Sequence, residues 1–326
     1  MIASVYEAPT NIAGYDPTRD SDGFYFDPIE AERRVRFFDL AVSQYRLQKW
    51  QRDIVATLFG WKREGDDLRR YRESLIFVPR KNGKSSLSAG LALCAFSLDR
   101  QPRGQYYCGA CDLDQADLVF SMVAGMVRSS PTLDKQCKVR ESRKRIIRGD
   151  SFFRAIPADA GGAYGTEPHL FIGDELHLWK GRRLKDTMHT GTAALSQPLE
   201  VYITTAGFDF NSICGEVYTH ACKVRDGVLS DPTFLPVVYE ATKDLDWKLE
   251  STWKIANPNY GVSVRKDYFE NECRKAIENP AYENTFRREH LNQWTEQKTR
   301  WLKMDDWRAC KVSDGRLIDR RCTSAD

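Results

Sequence analysis

The sequence predicts an α/β fold in which helices flank a mostly parallel central sheet and a small helical subdomain follows on the C-terminal side. Short apolar runs rich in β-branched and aromatic residues recur between helical stretches, which is typical of parallel strands buried on both faces. From about residue 236, polar and Trp-rich helical segments replace this alternation. The 326 residues, 41% of them hydrophobic, are enough for one large domain or two.

The chain begins with an irregular stretch and continues with alternating helices and strands. Residues 1–30 are rich in Pro, Gly, Asp and aromatic residues without periodicity, and we expect them to form a surface arm. Asp112, with Gln115 three residues later, is typical of a helix N-cap. The helices are predicted at Glu30–Asp39, Gln48–Trp61, Leu87–Leu98, Asp112–Arg128, Val264–Asn279 and Ala281–Trp294. The strands are predicted at Ser74–Val78, Gln105–Ala110, Phe152–Ile156, His169–Gly173 and Leu199–Thr204.

This pattern divides the chain into four parts. An N-terminal arm covers residues 1–39, and the α/β core covers 40–235. A helical linker or lid subdomain follows at 236–310. The tail, 311–326, is short and charged, so we do not expect it to fold alone.

Composition excludes some classes of protein. The net charge is only +3, so any affinity for a polyanion must come from a local basic patch. The nine cysteines include one CxxC, Cys108 and Cys111, without a second pair at zinc-ligand spacing, and we expect free thiols in a reducing compartment. No apolar run has the length of a membrane span and the N-terminus has no hydrophobic signal region. We therefore expect a cytosolic protein without a membrane partner.

Residues 77–86, FVPRKNGKSS, have the features of a phosphate-binding loop between a strand and a helix. Such a loop directs backbone N–H groups at phosphate oxygens, with a helix N-terminus behind them. Lys84 is expected to reach the β- and γ-phosphates of ATP, and the Ser85 hydroxyl to ligate Mg²⁺. Gly83 lies where the backbone approaches phosphate most closely, but Val78 stands where the full pattern has its first glycine. Because Gly-Lys-Ser also occurs by chance, the loop alone leaves a fortuitous match open.

A second element is the apolar run Leu170–Gly173, which ends in the carboxylates Asp174 and Glu175. Asp174 is expected to hold Mg²⁺ and its water shell, and Glu175 to orient and deprotonate the attacking water. An acidic pair that merely caps the next helix is the alternative. With the loop, this strand end predicts a P-loop NTPase of the ASCE/RecA-like class.

A third strand ends at Tyr202–Gly207, YITTAG. Thr204, Thr205 and Gly207 are expected to sense the γ-phosphate and couple its loss to movement. An ordinary strand-to-loop turn is the alternative.

In this order, the motifs resemble the ATPase part of the large terminase subunit of tailed bacteriophages, in its HK97-like form. The resemblance covers roughly residues 40–310 and rests on RKNGKS, IGDELH, TTAG, KIANPNYG, HLNQWT and WLKMDDWRAC. It implies a motor that hydrolyses ATP with Mg²⁺ and translocates double-stranded viral DNA into a procapsid. It also implies a ring of copies, a portal protein and a small terminase subunit as partners, all in the host cell cytoplasm.

The resemblance also implies residue roles. Arg80 matches an arginine that acts on the γ-phosphate from within the same subunit, which makes Glu175, Arg80 and Lys84 the expected catalytic group; a solvated loop cation is the alternative for Arg80. Gln51 matches a glutamine that reads adenine, although it also suits an ordinary polar helix position. The expected nucleotide-binding residues are Gln51, Arg80, Lys81, Asn82, Gly83, Lys84, Ser85 and Ser86. An arginine donated by a neighbouring subunit remains open among Arg128, Arg154, Arg182 and Arg183.

Large terminase subunits of this kind carry a C-terminal nuclease of RNase H-like fold. The chain stops at Asp326, about where that domain is expected to begin, and its last aspartates have no sheet pattern around them (Asp305, Asp306, Asp314 and Asp319). We therefore expect the motor part alone, with the nuclease domain missing.

The densest basic run is Lys138–Arg148, which is followed by Gly149-Asp150 and a strand. This pattern predicts a hairpin whose Arg143, Lys144 and Arg145 contact the phosphates of duplex DNA without reading its sequence. A solvated basic face is the alternative.

Two other functions remain open at this point. A helicase-like, DNA-dependent ATPase also has a glutamine upstream of its loop and a DE-x-H-type strand end, but it needs a second RecA-like lobe. A nucleotide-gated DNA adaptor that holds ATP without turnover is less consistent with the intact Lys84, Ser85, Asp174 and Glu175.

Overall fold

The computed structural model describes residues 6–41, 46–99, 101–158 and 165–295. Within these ranges the strands are β1 (Phe24–Phe26), β2 (Trp61–Arg63), β3 (Glu73–Phe77), β4 (Gln105–Ala110), β5 (Lys138–Arg140), β6 (Arg145–Arg148), β7 (Ser151–Pro157), β8 (Pro168–Asp174), β9 (Leu199–Thr204) and β10 (Phe234–Val238). The helices are α1 (Pro28–Ala41), α2 (Lys49–Gly60), α3 (Lys84–Leu98), α4 (Leu113–Ser129), α5 (Pro131–Gln136), α6 (Arg183–Gly191), α7 (Ile213–Arg225), α8 (Glu250–Ala256), α9 (Lys266–Glu278) and α10 (Pro280–Leu291). Short 3₁₀ turns lie at Glu141–Arg143 and Leu176–Leu178.

The central sheet contains eight of the described strands, in the order β10-β3-β9-β8-β4-β7-β6-β5. The six strands from β10 to β7 run parallel, and β6 and β5 continue the sheet in antiparallel pairs. The predicted α/β class, a mostly parallel sheet flanked by helices, is therefore confirmed. Since carboxyl ends of parallel strands meet at one edge, the segments after β3, β8 and β9 converge there.

The core explains why the strand sequences are apolar throughout instead of alternating. Leu75, Ile76 and Phe77 of β3 are fully buried, because helices cover both faces of the sheet. Helix α3 is buried along nearly its whole length, since it packs on β8 and against α1 and α4. Its small and apolar residues allow that close approach.

All five predicted strands are present, and two of them, β4 and β9, begin and end where expected. The Asp112 cap is also confirmed, since its carboxylate accepts a hydrogen bond from the Gln115 N–H at 2.8 Å. Strand β10 was not predicted, because Pro236 argues against a strand. The sheet tolerates Pro236 there because β10 is an edge strand with β3 as its only partner among the described strands.

Two groups of buried side chains form the interior. The main core extends from Ile12 and Tyr15, in the expected arm, to Val238. A second core, which includes Trp253, Phe269 and Phe286, lies among α8, α9 and α10. We refer to residues 239–295 as the helical segment. Strand β10 crosses residue 235, where the α/β core was expected to end.

Candidate nucleotide site

The phosphate loop, residues 78–83, connects β3 to α3 at the carboxyl edge of the sheet. The loop turns through two left-handed residues, Lys81 with φ of 69° and Gly83 with φ of 81°. Gly83 adopts this conformation without strain, whereas a residue with a side chain pays about 1–2 kcal/mol. Val78 needs no such freedom, because its N–H donates to the Thr204 carbonyl at 3.1 Å and thereby extends the sheet by one residue.

Lys84 begins α3 and points to the two carboxylates at the end of β8. Its side chain is only 6% exposed, and its Nζ lies 3.8 Å from Glu175 Oε1. Burial lowers the pKa of Lys84, while the charges of Glu175 and Asp174 oppose that shift. Ser85 and Ser86 follow in the first helical turn and are partly buried. The fold therefore places an ammonium group and a carboxylate together beside an exposed loop backbone.

Asp174 and Glu175 are neighbours in sequence with different surroundings. Burial, and then the charge of Glu175, raises the pKa of Asp174 to about 7. Burial also acts to raise the pKa of Glu175, but hydrogen bonding from His177, and then the charges of Lys84, His177 and Arg80, lower it overall. One carboxyl thus favours its protonated form unless a cation is near, whereas the other stays ionised and able to accept a proton.

His177 was not recognised from the sequence as a site residue. Its Nδ1 lies 3.3 Å from Glu175 Oε2 and 3.1 Å from Thr204 Oγ1, and its backbone N–H donates to that same hydroxyl at 3.0 Å. Glu175 itself adopts a left-handed conformation, with φ of 47°, and its N–H donates to the Ile203 carbonyl at 2.8 Å. The imidazole therefore connects the carboxylate to the end of β9. The only sequence signal was the histidine two residues after Glu175.

The expected coupling residues lie at the end of β9 and directly after it. Thr204 and Thr205 are buried, and the Thr204 hydroxyl donates to the Thr205 carbonyl at 3.1 Å. A Cβ added to Gly207 would lie 3.3 Å from the His177 Cβ. The geometry thus brings Thr204 and Gly207 next to His177, and Thr205 contacts Thr204.

Arg80 contacts α10, and Gln51 contacts the residue that precedes α2. Arg80 is 56% exposed, and its Nη1 lies 3.0 Å from Glu289 Oε2 on α10. Gln51 is fully buried in α2, where its Oε1 accepts a hydrogen bond from the Gln48 N–H at 2.9 Å and forms part of a capping box. For Arg80 to reach a phosphate, it must give up the ion pair with Glu289.

The donor set fits one magnesium ion shared with a nucleotide. Asp174 Oδ1 is buried and has no hydrogen-bond partner among the described residues. A buried carboxylate oxygen without a partner is stabilised by a cation. Within the described part of the chain, no cluster of three or more His, Cys, Asp or Glu side chains is arranged to hold a metal. This agrees with Mg²⁺ sites that use one carboxylate and a hydroxyl with substrate phosphates.

The basic residues lie near the carboxyl end of β7, several strands across the sheet from the phosphate loop. Strands β6 and β7 form the expected hairpin around Gly149-Asp150, but Arg143, Lys144 and Arg145 occupy its other end, where β5 leads into β6. They line, with Arg154, a cleft of about 500 Å³. Lys144 Nζ is 2.6 Å from Asp117 Oδ1, and the Arg145 guanidinium lies over the Phe152 ring at 3.8 Å.

The arginines considered for a neighbouring site differ in their partners. Arg128 pairs with Glu141, and Arg182 pairs with Asp186 at 2.7 Å and with Glu216 at 3.3 Å. Arg183 begins α6. Arg154 is exposed on β7 and forms no ion pair with another described residue.

The fold and the site together define a P-loop ATPase, in which the loop follows β3, the carboxylates end β8, and β9 lies between these two strands. A family model described as the terminase large subunit, ATPase domain, matches residues 49–223, more than half of the chain. The chain therefore belongs to the terminase large subunit family.

Curated relatives and solved structures agree with this family. The large terminase subunit of Enterobacteria phage HK97 is 27% identical over 270 residues, which cover 81% of this chain and 51% of that protein. The terminase large subunit of Lactococcus phage p2 is 24% identical and covers 73% of this chain and 45% of that protein. The chain thus spans about half the length of these relatives.

The crystal structure of the HK97 large terminase matches with a TM-score of 0.71 over 81% of this chain and 55% of that chain, at 27% identity. A mutant ATPase domain of the Thermus phage P74-26 large terminase matches with a TM-score of 0.53, covering 80% of this chain and 98% of that chain. Its 15% identity supports the fold alone.

A second family model corrects one expectation. The terminase large subunit endonuclease domain matches residues 229–322, so the prediction that the nuclease domain is missing from this chain is wrong. That prediction depended on the chain stopping at Asp326 and on its last aspartates having no sheet pattern around them. The described part of the match contains β10 and α8–α10. The aspartates at 305, 306, 314 and 319, and WLKMDDWRAC, lie outside the described residues.

Proposed function

We propose that this chain hydrolyses ATP and uses the energy to translocate double-stranded viral DNA into a procapsid. The observation that carries the proposal is the pairing of the buried Lys84 with the partly buried Glu175, 3.8 Å apart, beside Asp174 and the loop backbone. Phosphoryl transfer requires this combination, because its catalysis depends on positioning and on electrostatic stabilisation of the γ-phosphoryl group. A fortuitous Gly-Lys-Ser would have no reason to meet two carboxylates at one sheet edge.

Each residue has a distinct chemical task in this proposal. The loop N–H groups and Lys84 bind the β- and γ-phosphates, and Gln51 contributes to the adenine end. Glu175, held ionised by its neighbours, accepts the proton of the attacking water. Arg80 releases Glu289 and stabilises the negative charge that spreads over the γ-phosphoryl oxygens. Asp174 and Ser85 would hold Mg²⁺, which when bound neutralises charge on the phosphate oxygens.

Coupling to DNA follows from the contact between Glu175, His177 and Thr204. Loss of the γ-phosphate changes the charge facing Glu175, and the His177 contact transmits that change to Thr204, Thr205 and Gly207. Arg143, Lys144 and Arg145 contact DNA phosphates from the basic cleft. The motor acts as a ring of copies with the portal protein and the small terminase subunit, in the host cell cytoplasm. No helix in the described ranges combines the length and apolar character needed to cross a membrane.

A helicase-like function has less support. It requires a second RecA-like lobe, whereas the described part of the helical segment consists of α8–α10 around its own small core.

The proposed hydrolysis is tested by two variants of the 326-residue chain. Lys84→Ala is expected to abolish binding of a fluorescent ATP analogue and phosphate release, because it removes the buried ammonium group. Glu175→Gln is expected to keep nucleotide binding but to lower phosphate release by about 10²–10⁴-fold, since the amide cannot accept the proton. Both measurements are made with Mg²⁺ and with double-stranded DNA present and absent.

Lys254→Ala and Glu216→Gln are the matched controls, because both side chains are largely exposed. They are expected to behave as the parent chain does. Unchanged phosphate release in Lys84→Ala would refute the loop assignment. A fall of less than about tenfold in Glu175→Gln would remove Glu175 as the general base. A parent chain that binds ATP without turnover would instead support the adaptor.

A further inference from the structure

The carbonyl groups of the phosphate loop are held by hydrogen-bond donors. An anion-binding loop must turn its carbonyls away from the ligand, because only then do its N–H groups face the phosphate. The side-chain amide nitrogen of Asn82 donates to the carbonyls of Pro79 and Arg80, both at 3.2 Å. The next two carbonyls, those of Lys81 and Asn82, accept from side chains outside the loop.

Those two outside donors come from one short stretch of the helical segment. Ser263 Oγ donates to the Lys81 carbonyl at 2.7 Å, and Asn259 Nδ2 donates to the Asn82 carbonyl at 3.1 Å. The Asn259 backbone N–H also donates to Asn82 Oδ1 at 3.1 Å. Asn257 Oδ1 accepts from Asn82 Nδ2 at 2.9 Å. The stretch KIANPNYG, which no function has so far explained, therefore holds the loop from behind together with Ser263, two residues after it.

The contacts among the three asparagines are buried and connected to the rest of the fold, whereas Ser263 is exposed. Asn82, Asn257 and Asn259 are at most 4% exposed, so water cannot replace a lost partner. Asn259 Oδ1 accepts from Trp50 Nε1 at 2.7 Å, and Asn257 Nδ2 donates to the His290 carbonyl at 2.7 Å. The loop is thus fixed between α2 and α10 through side-chain amides. Fully satisfied buried polar networks of this kind specify one conformation.

The network also accounts for an unfavourable backbone conformation. Lys81 is left-handed although it has a side chain, and such a conformation persists only where surrounding contacts hold it. The carbonyl of Lys81 accepts the Ser263 hydroxyl, and the following residue is fixed by Asn259 and Asn257. Without these partners, the loop conformation that presents its N–H groups is less stable.

We propose that Asn257, Asn259 and Ser263 are positioning residues that hold the phosphate loop ready for the nucleotide. The inference rests on the proposed function, since it assigns these residues to nucleotide binding at the loop. It also gives a role in the ATPase site to residues within the range matched by the endonuclease family model. None of the three side chains needs to touch the nucleotide.

The test measures the Kd of a fluorescent, non-hydrolysable ATP analogue with Mg²⁺ for the 326-residue chain, together with its melting temperature. Ser263→Ala removes one hydrogen bond to the loop at an exposed position, so it is expected to raise Kd about twofold to tenfold without changing the melting temperature. Ser263→Thr keeps a hydroxyl and is expected to restore the parent Kd. Ser251→Ala, an exposed serine of α8 in the same segment, is the control and is expected to leave Kd unchanged.

Asn259→Asp provides a second, stronger variant. The carboxylate still accepts from Trp50 but cannot donate to the Asn82 carbonyl, and it is expected to raise Kd more than tenfold. If this buried substitution lowers the melting temperature, the Ser263 variants decide the question. A parent-like Kd in Ser263→Ala overturns the inference while the proposed function stands. A parent chain that does not bind the analogue, or that binds it as Lys84→Ala does, overturns both.

Discussion

At the residue scale, the surroundings of Asp174 and Glu175 give two adjacent carboxyls different tasks. Asp174 lies at the last position of β8 inside the sheet, and burial raises its pKa to about 7. Glu175 turns out of the strand in a left-handed conformation and meets His177 and Lys84, which lower its pKa. The left-handed turn therefore separates the proposed cation ligand from the proposed proton acceptor within two residues.

The pH dependence of hydrolysis tests the contribution of His177. In the folded protein, the pKa of Glu175 is lowered, so the base is ionised and active down to pH values below its ordinary range. His177→Ala removes the largest lowering contribution, which raises the pKa of Glu175. The acid limb of the kcat profile is therefore expected to move to higher pH. The measurement is steady-state phosphate release from about pH 3.5, below the ordinary pKa of a glutamate, to about pH 8.

His220→Ala is the control for that profile, since His220 pairs with Asp231 at 3.1 Å beside α7 and β10. Its acid limb is expected to coincide with that of the parent. An acid limb in His177→Ala that stays in place, or moves to lower pH, would show that the imidazole does not tune Glu175.

At the element scale, a buried ion network connects α1 to the end of α3, the helix that follows the phosphate loop. Asp99 follows α3 directly, and its carboxylate lies 2.6 Å from Arg34 Nη1 of α1 and 3.1 Å from Arg69 Nη2. All three side chains are at most 8% exposed. Helix α3 begins at Lys84, so this network fixes the far end of the element that presents the Lys84 ammonium group.

Removal of the Asp99 carboxylate is expected to be strongly destabilising. Asp99→Ala leaves the Arg34 and Arg69 guanidinium groups buried without it, and the free energy of unfolding is expected to fall by about 3–5 kcal/mol. Asp39→Ala removes an exposed ion pair between α1 and α2, with Arg52 at 3.0 Å, and is expected to cost less than about 1 kcal/mol. Urea denaturation measures both. If both variants lose the same free energy of unfolding, burial does not make the Asp99 ion pairs more important than the exposed pair.

At the scale of the whole molecule, the candidate ATP site and the basic cleft belong to different parts of one sheet. The phosphate loop follows β3, the second strand from one side of the sheet. Arg143, Lys144 and Arg145 lie where β5 leads into β6, the last two strands on the other side. The overall charge of +3 is too small to attract DNA by itself. Any grip on duplex phosphates must therefore be local and sensitive to salt.

Salt dependence tests whether this cleft contacts DNA. Replacement of Arg143, Lys144 and Arg145 by alanine is expected to flatten the plot of log Kd against log salt concentration for duplex DNA. The expected reduction in slope is about 2–3, from roughly 0.9 for each lost phosphate contact. Arg143 is expected to contribute more than Lys144, because Lys144 already pairs with Asp117.

The control variant carries the same change in charge on α9 and the residue before it, with alanine at Arg265, Lys266 and Arg274. Its slope is expected to remain close to that of the parent. If both triple variants flatten the plot equally, net charge and not the basic cleft determines the affinity.

The sequence by itself determined the fold class, the strands of the core and the order of the three strand ends that carry chemistry. These features are local in sequence. A strand that is buried on both faces is a continuous apolar run, and its loop residues follow it directly. It did not reveal β10, which contains Pro236 and is an edge strand, and its expectation of a missing nuclease domain is corrected by the family match at 229–322.

Only the tertiary structure decided which distant residues complete the site. His177 meets Glu175 because a left-handed turn and the end of β9 bring them together. Asn259 and Ser263 meet the loop although about 180 residues separate them in sequence. The motifs IGDELH and KIANPNYG contain His177 and Asn259 but do not show which segments meet, since that depends on two separate segments being packed together by burial of their apolar faces.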